Sequence, residues 1–306
     1  MLSSEDLQFF LTLTASPTLA DAARKLDVTP SAVTQRLNGL EKRLGIGLVD
    51  RSGRRMALTD EGELLAERAR RICSDISGLA DALAARRGKV SGHLRVVAPL
   101  GFGQHYVAPA IARFRRECPA VTATLMLSDR PASLAAHTWD VMIQIGELRD
   151  SRLVMHRLAR NRRILCASPA YLKRRGAPRH PDELREHDCI ALRENDEDVT
   201  LWRFRHDNGT FTAVRIDPVL ASNDGGAARL WAQAGMGILV RSEWDVADLL
   251  RQGRLVELLP DWRLPDADIV ALVASRKERS ARTEHFLCAL RELGDNAPWL
   301  ARQASG

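Results

Sequence analysis

Apolar residues recur at helical spacing in the first part of the chain and predict three short helices. The first helix carries Leu7 and Phe10 on one face, since residues three apart are neighbours on a helix surface. A second helix is predicted over residues 19–26. After a three-residue turn, Thr29 is a good N-cap for a third helix, and Pro30 occupies its first position, where a missing N–H costs nothing.

The third helix has two sharply different faces. Its apolar residues follow one another at steps of four, three and four, which is a buried stripe. This stripe consists of Val33, Leu37, Leu40 and Leu44. A second face is polar but uncharged, whereas ordinary solvent faces are rich in Lys and Glu. It consists of Ser31, Thr34, Gln35 and Asn38. Such side chains both donate and accept hydrogen bonds, which suits base edges in the major groove of DNA.

A basic hairpin follows the third helix. Gly45 ends the helix, and two short apolar runs, 48–49 and 56–58, are separated by Ser52-Gly53. The tip of this hairpin carries Arg51, Arg54 and Arg55. Residues 28–58 contain six basic and two acidic side chains, so +4 of the net charge of +6 lies in this segment. Helices, turn and basic hairpin together predict a winged helix-turn-helix that binds duplex DNA, with Gln35, Thr34 and Ser31 reading bases and the arginines contacting phosphates or the minor groove.

A long helix is predicted next, with Thr59 as its cap. Its apolar positions follow a period of 3.5 residues, which is typical of a coiled-coil seam. The seam consists of Leu65, Ala69, Ile72, Ile76, Leu79 and Leu83. The narrow stripe favours a partner helix in a homodimer, and the alternative is packing on the core of its own domain.

Beyond a hinge at 86–92 the pattern changes to strands that alternate with amphipathic helices. The strand-like runs are 93–98, 121–127, 141–145, 164–167 and 269–274. This alternation predicts an α/β domain with largely parallel sheets, and its length of roughly 215 residues is enough for two lobes. The fold class is therefore α/β overall, with an α-rich winged helix-turn-helix and a linker helix before it.

Several classes of protein are disfavoured by the sequence. The five cysteines are scattered and never spaced C-x-x-C, which indicates reduced thiols in a cytoplasmic protein and neither disulfides nor a metal site. The N-terminus lacks the basic segment of a signal peptide, and no apolar stretch is long enough to cross a membrane. Catalytic and nucleotide-binding motifs are missing from the sequence, so we expect neither an enzyme nor a cofactor.

Three segments, residues 20–65, 140–192 and 222–262, resemble the LysR-type transcriptional regulators. The first runs ADAARKLDVTPSAVTQRLNGLEKRLGIGLVDRSGRRMALTDEGELL. The resemblance implies a winged helix joined by a linker helix to a two-lobed effector domain like the periplasmic binding proteins. It also implies a dimer of dimers, a small-molecule effector, and a partner in RNA polymerase. Two departures from the family pattern are Gln35, where Arg or Lys is more common, and Gln144, where many relatives carry Arg.

We therefore expect a DNA-binding domain at 1–58, a linker helix at 59–87, a hinge at 88–92 and an effector domain at 93–306. Lobe one should cover about 93–165 and 266–306, and lobe two about 166–265, with a crossing near Cys166. Two loops that precede helices should bind an organic anion from opposite lobes, with an ordinary helix cap as the alternative reading of each. The expected effector residues are Leu100, Gly101, Phe102, Gly103, Gln104, Ser128, Gln144, Gly146, Ser222, Asn223 and Asp224.

Two other classes of function were weighed against this one. The chain could be a small-molecule-binding protein whose N-terminal module only mediates assembly, and salt-dependent binding to duplex DNA distinguishes the two. An enzyme on an α/β scaffold would need a catalytic constellation, and the sequence contains none.

Overall fold

The computed structural model describes residues 2–50, 57–85, 90–130, 139–146, 153–193, 198–273, 280–295 and 297–299. The chain separates into two compact units, Met1–Arg87 and Gly88–Gly306. Each unit has its own hydrophobic core.

The first unit contains the three predicted helices, α1 (Ser4–Thr14), α2 (Leu19–Leu26) and α3 (Pro30–Leu44). They are followed by strands β1 (Val49–Asp50) and β2 (Ala57–Leu58), which pair antiparallel, and by α4 (Asp60–Ala85). The prediction of these elements is confirmed to within a residue or two. Their core is built from the apolar faces of the helices together with Leu48, and it includes Phe9, Phe10, Leu13, Val33, Leu37 and Leu40.

The apolar stripe of α4 changes its environment along the helix. Leu65 is half-buried and packs on the core of the first unit, so for this residue the own-domain alternative is correct and the assignment to a partner helix is not supported. Further along, the side chains are exposed to 45–64%. These are Ile72, Ile76, Leu79 and Leu83. Burying such side chains is favourable, so a row of four on one face is an exposed apolar surface of the kind that marks an interface.

The second unit begins with a mixed five-stranded sheet. Its elements are β3 (Gly92–Ala98), α5 (Leu100–Phe102), a π-helical turn (Gly103–Val107), α6 (Ala108–Glu117), β4 (Val121–Leu127), β5 (Val141–Ile145), β6 (Val154–Ala159), β15 (Ile269–Val273) and α10 (Ala281–Asp295). The strand order is β4-β3-β5-β15-β6, with β3 parallel to β4 and β5, and with β15 antiparallel to β5 and β6.

The intervening chain forms a second lobe with the same type of sheet. Its elements are β7 (Arg163–Ala167), α7 (Pro169–Arg175), β8 (Cys189–Leu192), β9 (Leu201–His206), β10 (Phe211–Arg215), β11 (Pro218–Ser222), α8 (Gly225–Gln233), β12 (Ile238–Ser242), α9 (Glu243–Arg251), β13 (Val256–Glu257) and β14 (Trp262–Arg263). The sheet order is β11-β8-β12-β7-β13, and β10-β9-β14 form a small antiparallel sheet beside it.

Two expectations are corrected by these sheets. The sheets are not largely parallel, because the strands β15 and β7, which follow the crossings, run antiparallel to their neighbours. The crossing was expected near Cys166, but this residue lies inside β7, where it pairs with Leu239 and Glu257 of the second sheet. The chain crosses at residues 160–162 instead.

Asn161 connects the two crossings. Its side-chain N–H donates to the Ala267 carbonyl at 2.8 Å, and its side-chain oxygen accepts the Trp244 backbone N–H at 3.3 Å. The side chain is 3% exposed, so these bonds satisfy a buried amide, as burial requires. Trp244 itself packs into the core of the first lobe, although it belongs to the sequence of the second.

Candidate DNA-binding surface and ligand cleft

The start of α3 has the predicted capping geometry. The Thr29 hydroxyl accepts the Ala32 backbone N–H at 3.3 Å, and Pro30 follows at the first helical position. Gly45 ends the helix in the left-handed conformation, with φ of +70°. Local sequence therefore specifies both ends of α3. The orientation of the helix about its own axis is set by which of its faces is buried.

The polar face of α3 is exposed where the sequence predicted it. Ser31, Gln35 and Asn38 are exposed, while Val33 and Leu37 on the apolar face are at most 1% exposed. Thr34 is half-buried, and its hydroxyl donates to the Pro30 carbonyl at 3.0 Å. Its hydroxyl proton is therefore engaged within the helix, which leaves its oxygen as an acceptor.

Two of the basic side chains counted in the sequence serve packing within the unit. The Arg36 guanidinium lies 4.5 Å from the centre of the Phe9 ring and donates to the Glu5 carbonyl at 3.2 Å. Arg43 pairs with Asp6 at 2.8 Å. Burial raises the pKa of the Asp6 carboxyl, but hydrogen bonds from the Ser3 backbone and from Arg43 outweigh it and lower that pKa below its ordinary value. Sequence analysis did not find these contacts, because they join residues 27 to 37 positions apart.

Glu41 positions the hairpin that follows α3. Its carboxylate accepts the backbone N–H of Leu48 at 2.8 Å and that of Val49 at 3.3 Å. A charged acceptor for two backbone donors fixes the direction in which the chain enters β1. The tip of the hairpin, with Arg51, Arg54, Arg55 and the predicted strand residue Met56, lies outside the described residues.

Replacing Glu41 with alanine should destabilise the first unit by about 1.5–3 kcal/mol, because two backbone N–H groups lose a charged acceptor. Urea unfolding followed by circular dichroism measures this free energy. Lys42→Ala, at an exposed neighbouring position of α3, is the control and should change it by less than about 0.5 kcal/mol. Equal effects of the two substitutions would contradict the role of Glu41.

The first expected ligand loop is only partly accessible. Phe102 is 1% exposed, and its ring packs against Tyr106, Trp244 and Trp299 with centroid distances of 4.9, 5.4 and 6.3 Å. It is a core residue, so its expected role as an effector residue is wrong. Gly103 is also buried, while Leu100 and Gly101 are half-buried and Gln104 is exposed.

The second expected loop forms a helix cap and a contact between the lobes. The Asp224 carboxylate accepts the Gly226 N–H at 2.7 Å and so caps α8, as the simpler reading of the sequence suggested. The Ser222 hydroxyl accepts the Asp224 N–H at 3.0 Å. Asn223 reaches across to the first lobe and donates to the Asp129 carboxylate at 2.9 Å. The second loop therefore contacts the first lobe at Asp129, and α5 and α8, which follow the two loops, also contact each other.

The remaining expected residues lie on the first lobe. Gln144 is 6% exposed and pairs with Val270 inside the sheet. The Ser128 hydroxyl accepts the Arg130 backbone N–H at 3.0 Å. Gly146 follows β5 with φ of +94°, a conformation that favours glycine. An Arg163 terminal nitrogen lies 3.4 Å from where a Cβ of residue 146 would be.

The structure adds a cation to this region that sequence analysis missed. Arg241, on β12, is 5% exposed, and its Nε pairs with Asp245 at 2.7 Å. A Cβ at Gly225 would overlap the guanidinium, and one at Gly101 would lie 3.7 Å from a terminal nitrogen. Arg241 therefore lies where the two loops meet. One feature of the sequence could have indicated this site. Arg241 directly follows the apolar residues 238–240, and buried strands rarely carry an unpaired charge.

Two cavities lie near the crossings. The larger, about 600 Å³, is lined by both charges, and there Arg162 pairs with Glu243 and Glu257. The smaller, about 120 Å³, includes Arg241 in its lining. Because Arg241 also lies where the two loops meet, the smaller cavity is the candidate site for an organic anion.

Other chemistry is sparse in the described ranges. They hold no group of three or more His, Cys, Asp or Glu side chains that could bind a metal ion. In the same ranges no helix has both the length and the apolar character needed to cross a bilayer. The five cysteines are free thiols; Cys166 and Cys189 are fully buried, and burial raises the pKa of each to about 12. Cys73 and Cys118 are half-buried, and Cys288 is exposed.

Comparison with known proteins agrees with the two-unit architecture. A family model described as a bacterial regulatory helix-turn-helix protein, lysR family, matches residues 4–63, and one described as the LysR substrate binding domain matches residues 87–295. The HTH-type transcriptional regulator DmlR of Escherichia coli K12 is 34% identical over 287 residues, covering 94% of this chain and 93% of DmlR. The HTH-type transcriptional activator TtdR of the same strain is 34% identical over 259 residues, covering 85% and 83%.

Solved structures show the same fold. CrgA, a LysR-type transcriptional regulator from Neisseria meningitidis, has a TM-score of 0.60 at 29% identity and covers 96% of this chain and 100% of its own. Full-length AphB, a virulence activator of Vibrio cholerae, has a TM-score of 0.63 at 23% identity over the same shares. With both family models and relatives over most of its length, the chain belongs to the LysR family, whose members are DNA-binding transcriptional regulators and not enzymes.

Proposed function

We propose that this protein binds duplex DNA sequence-specifically through α3, and that a small organic anion bound between the lobes of the second unit modulates this binding. The observation that carries the proposal is the exposed, uncharged face of α3. Ser31, Gln35 and Asn38 on this face offer donors and acceptors to base edges. Membership of the LysR family supports the regulatory role.

The other expected DNA contacts complete this surface. Thr29, Pro30 and Thr34 lie at the start of α3, next to the exposed face, where a helix N-terminus can approach a phosphate. Arg51, Arg54 and Arg55 are assigned to phosphates or the minor groove from sequence alone. Their charge would supply sequence-independent affinity, and the side chains of α3 would supply discrimination between bases.

The effector is proposed to bind between the loops that approach each other from the two lobes. Leu100, Gly101 and Gln104 would contribute from the first lobe, and Ser222 and Asn223 from the second. Ser128, Gln144 and Gly146 would complete the first-lobe wall. A ligand that prefers one arrangement of the lobes biases that arrangement, and this differential affinity is what couples ligand to DNA binding.

Assembly follows from the exposed row on α4, residues 72, 76, 79 and 83, which we assign to a seam between two copies of the chain. A two-fold dimer places two copies of α3 on a two-fold operator. We further propose that two dimers associate, that RNA polymerase is a partner at promoters, and that the protein acts in the cytoplasm. The domain limits are proposed at 1–58, 59–87, 88–92 and 93–306.

The proposed division of labour on DNA has a direct test. Gln35→Ala should relax discrimination by about 1–3 kcal/mol at one base position, because a base-reading side chain is lost. The double replacement of Arg54 and Arg55 by alanine should weaken binding to all sequences and reduce the salt slope by about one for each lost phosphate contact. Fluorescence anisotropy against a panel of operator variants, at several salt concentrations, measures both.

A control for the first substitution is Gln8→Ala, which removes the same side chain from an exposed position of α1. It should leave base preference and salt slope unchanged. The assignment fails if the arginine pair alters base preference while Gln35 does not. Failure to bind duplex DNA in a salt-dependent manner would favour a module that only mediates assembly.

A further inference from the structure

Two arginines share one buried carboxylate near the start of α8. Arg241 pairs with Asp245 through Nε, and Arg229 pairs with the other oxygen of the same carboxylate at 3.0 Å. The side chains of Arg241 and Asp245 are each 4% exposed, whereas that of Arg229 is 25% exposed and partly solvated. Buried charge is costly unless it is neutralised, and Arg241 is the buried cation that must share its counter-charge.

The buried polar atoms near Arg241 that lack a partner are also donors. Among the described residues, Nε of Arg229 and Nε1 of Trp244 are buried without a hydrogen-bond partner. The Trp244 ring lies 5.4 Å from the Arg241 guanidinium. Within the described part of the chain, the hydrogen bond of the Arg241 side chain is made by Nε. Both donors belong to side chains that contact or adjoin Asp245, so acceptors are scarce around this carboxylate, although neither side chain lines the cavity beside Arg241.

The Arg241 guanidinium also lies against the start of α8, at Gly225, the first residue of this nine-residue helix. The Asp224 carboxylate caps the helix through the Gly226 N–H and supplies one negative charge at this end. The N-terminus of a helix carries partial positive charge and favours anions, and Arg241 brings a guanidinium to it.

The cavity beside Arg241 indicates what kind of anion fits. Its volume is about 120 Å³, and it lies between β5 of the first lobe and β8 and β12 of the second. Its apolar lining includes Ile145, Ile190, Leu192, Leu201, Trp202 and Val240. Its charged lining is Arg163, Arg241 and Asp198, and Asp198 already pairs with Arg215 at 3.1 Å. Positive groups beside apolar side chains suit a carboxylate on a short hydrocarbon frame.

We propose that Arg241 is the residue that binds the carboxylate of the effector, and that the effector is a small organic acid with an apolar body. This inference rests on the proposed function, because Arg241 lies where the two proposed ligand loops meet, against Gly101 and Gly225. The cavity that Arg241 also lines extends the proposed site beyond those loops, since none of the loop residues line it. A guanidinium presents paired N–H donors in a fixed fork that matches a carboxylate. A neutral amide of the same shape carries no negative charge for the guanidinium, so the site should discriminate between acid and amide.

The test uses the full chain and a panel of acetate, butanoate, succinate and benzoate, each beside its neutral amide. Thermal unfolding and titration calorimetry are measured for the wild type, Arg241→Gln and Arg241→Lys. At least one carboxylate should bind and raise the melting temperature while its amide does not. Arg241→Gln should weaken that binding by at least about tenfold. Arg241→Lys should fall between the two, because it keeps the charge and loses the fork.

Arg162→Gln is the matched control, because Arg162 lines the larger cavity and already pairs with Glu243 and Glu257. It should leave carboxylate affinity unchanged. Asp245 keeps Arg229 as a partner in Arg241→Gln, so we expect this variant to fold, which circular dichroism without ligand checks. If it does not fold, Arg241→Lys decides the matter.

The proposal is overturned if no carboxylate of the panel binds, if the amides bind equally well, or if the Arg241 variants retain full affinity. These failures differ from failure of the proposed function. An uncharged compound that modulates DNA binding regardless of Arg241 would end this inference and leave the proposed function standing. Carboxylate binding that depends on Arg241, in a protein that does not bind duplex DNA, would support this inference and contradict the proposed function.

Discussion

Replacing Asp245 with alanine should lower the free energy of unfolding of the second unit by about 3–5 kcal/mol, because it leaves buried charge without its partner. Asp245 is 8% exposed and is the shared partner of Arg229 and Arg241. At about 2–4 °C for each kcal/mol in a unit of this size, the melting temperature should fall by about 6–20 °C. Scanning calorimetry of the full chain measures the shift.

The matched control for this prediction is Asp248→Ala, one turn further along the same helix. Asp248 pairs with Arg251, but its side chain is 73% exposed. Exposed pairs contribute about 0–1 kcal/mol because water and salt screen them, so this variant should melt within a few degrees of the wild type. Similar shifts for the two variants would show that Asp245 does not neutralise a buried charge.

Replacing Ile76 with aspartate should break the dimer. Ile76 is 49% exposed in the single chain, in the middle of the apolar row on α4. If that row is the seam, the substitution places one carboxylate from each copy in an apolar interface, at a cost of several kcal/mol. Light scattering should report a monomer, and affinity for a two-fold operator should fall towards that of a single recognition helix.

Arg71→Asp is the control for the dimer prediction. It introduces the same side chain into the same helix at an exposed position off the apolar row, so helix propensity is matched. We expect this variant to remain dimeric. A dimer that survives Ile76→Asp would remove α4 from the proposed assembly and leave its exposed row without a partner.

Much of the first unit was predictable because its signals are local. The Thr29 cap, Pro30 at the first helical position and the apolar spacing of α3 lie within a few residues of the structure that they specify. The same applies to the strands of the second unit, where β4 and β5 begin and end at the predicted residues. The hairpin tip and its arginines remain sequence predictions.

The errors share a cause in contacts between distant residues. Phe102 follows a strand in a loop-like segment, but its burial depends on Trp244 and Trp299, which come more than 140 positions later. The antiparallel direction of β7 and β15 depends on where the chain crosses between the lobes. A local sequence pattern contains no information about these crossings.

The sequence by itself determined the order of the elements, the two faces of α3 and the family, since each depends on short-range periodicity or on motifs of adjacent residues. Only the tertiary structure decided which charges are buried together. Gln144 stands where many relatives carry Arg, but β12 brings Arg241 between Gly101 and Gly225. The physical reason is that the cost of burying a charge depends on the neighbours that folding brings to it, and these come from segments far apart in the chain.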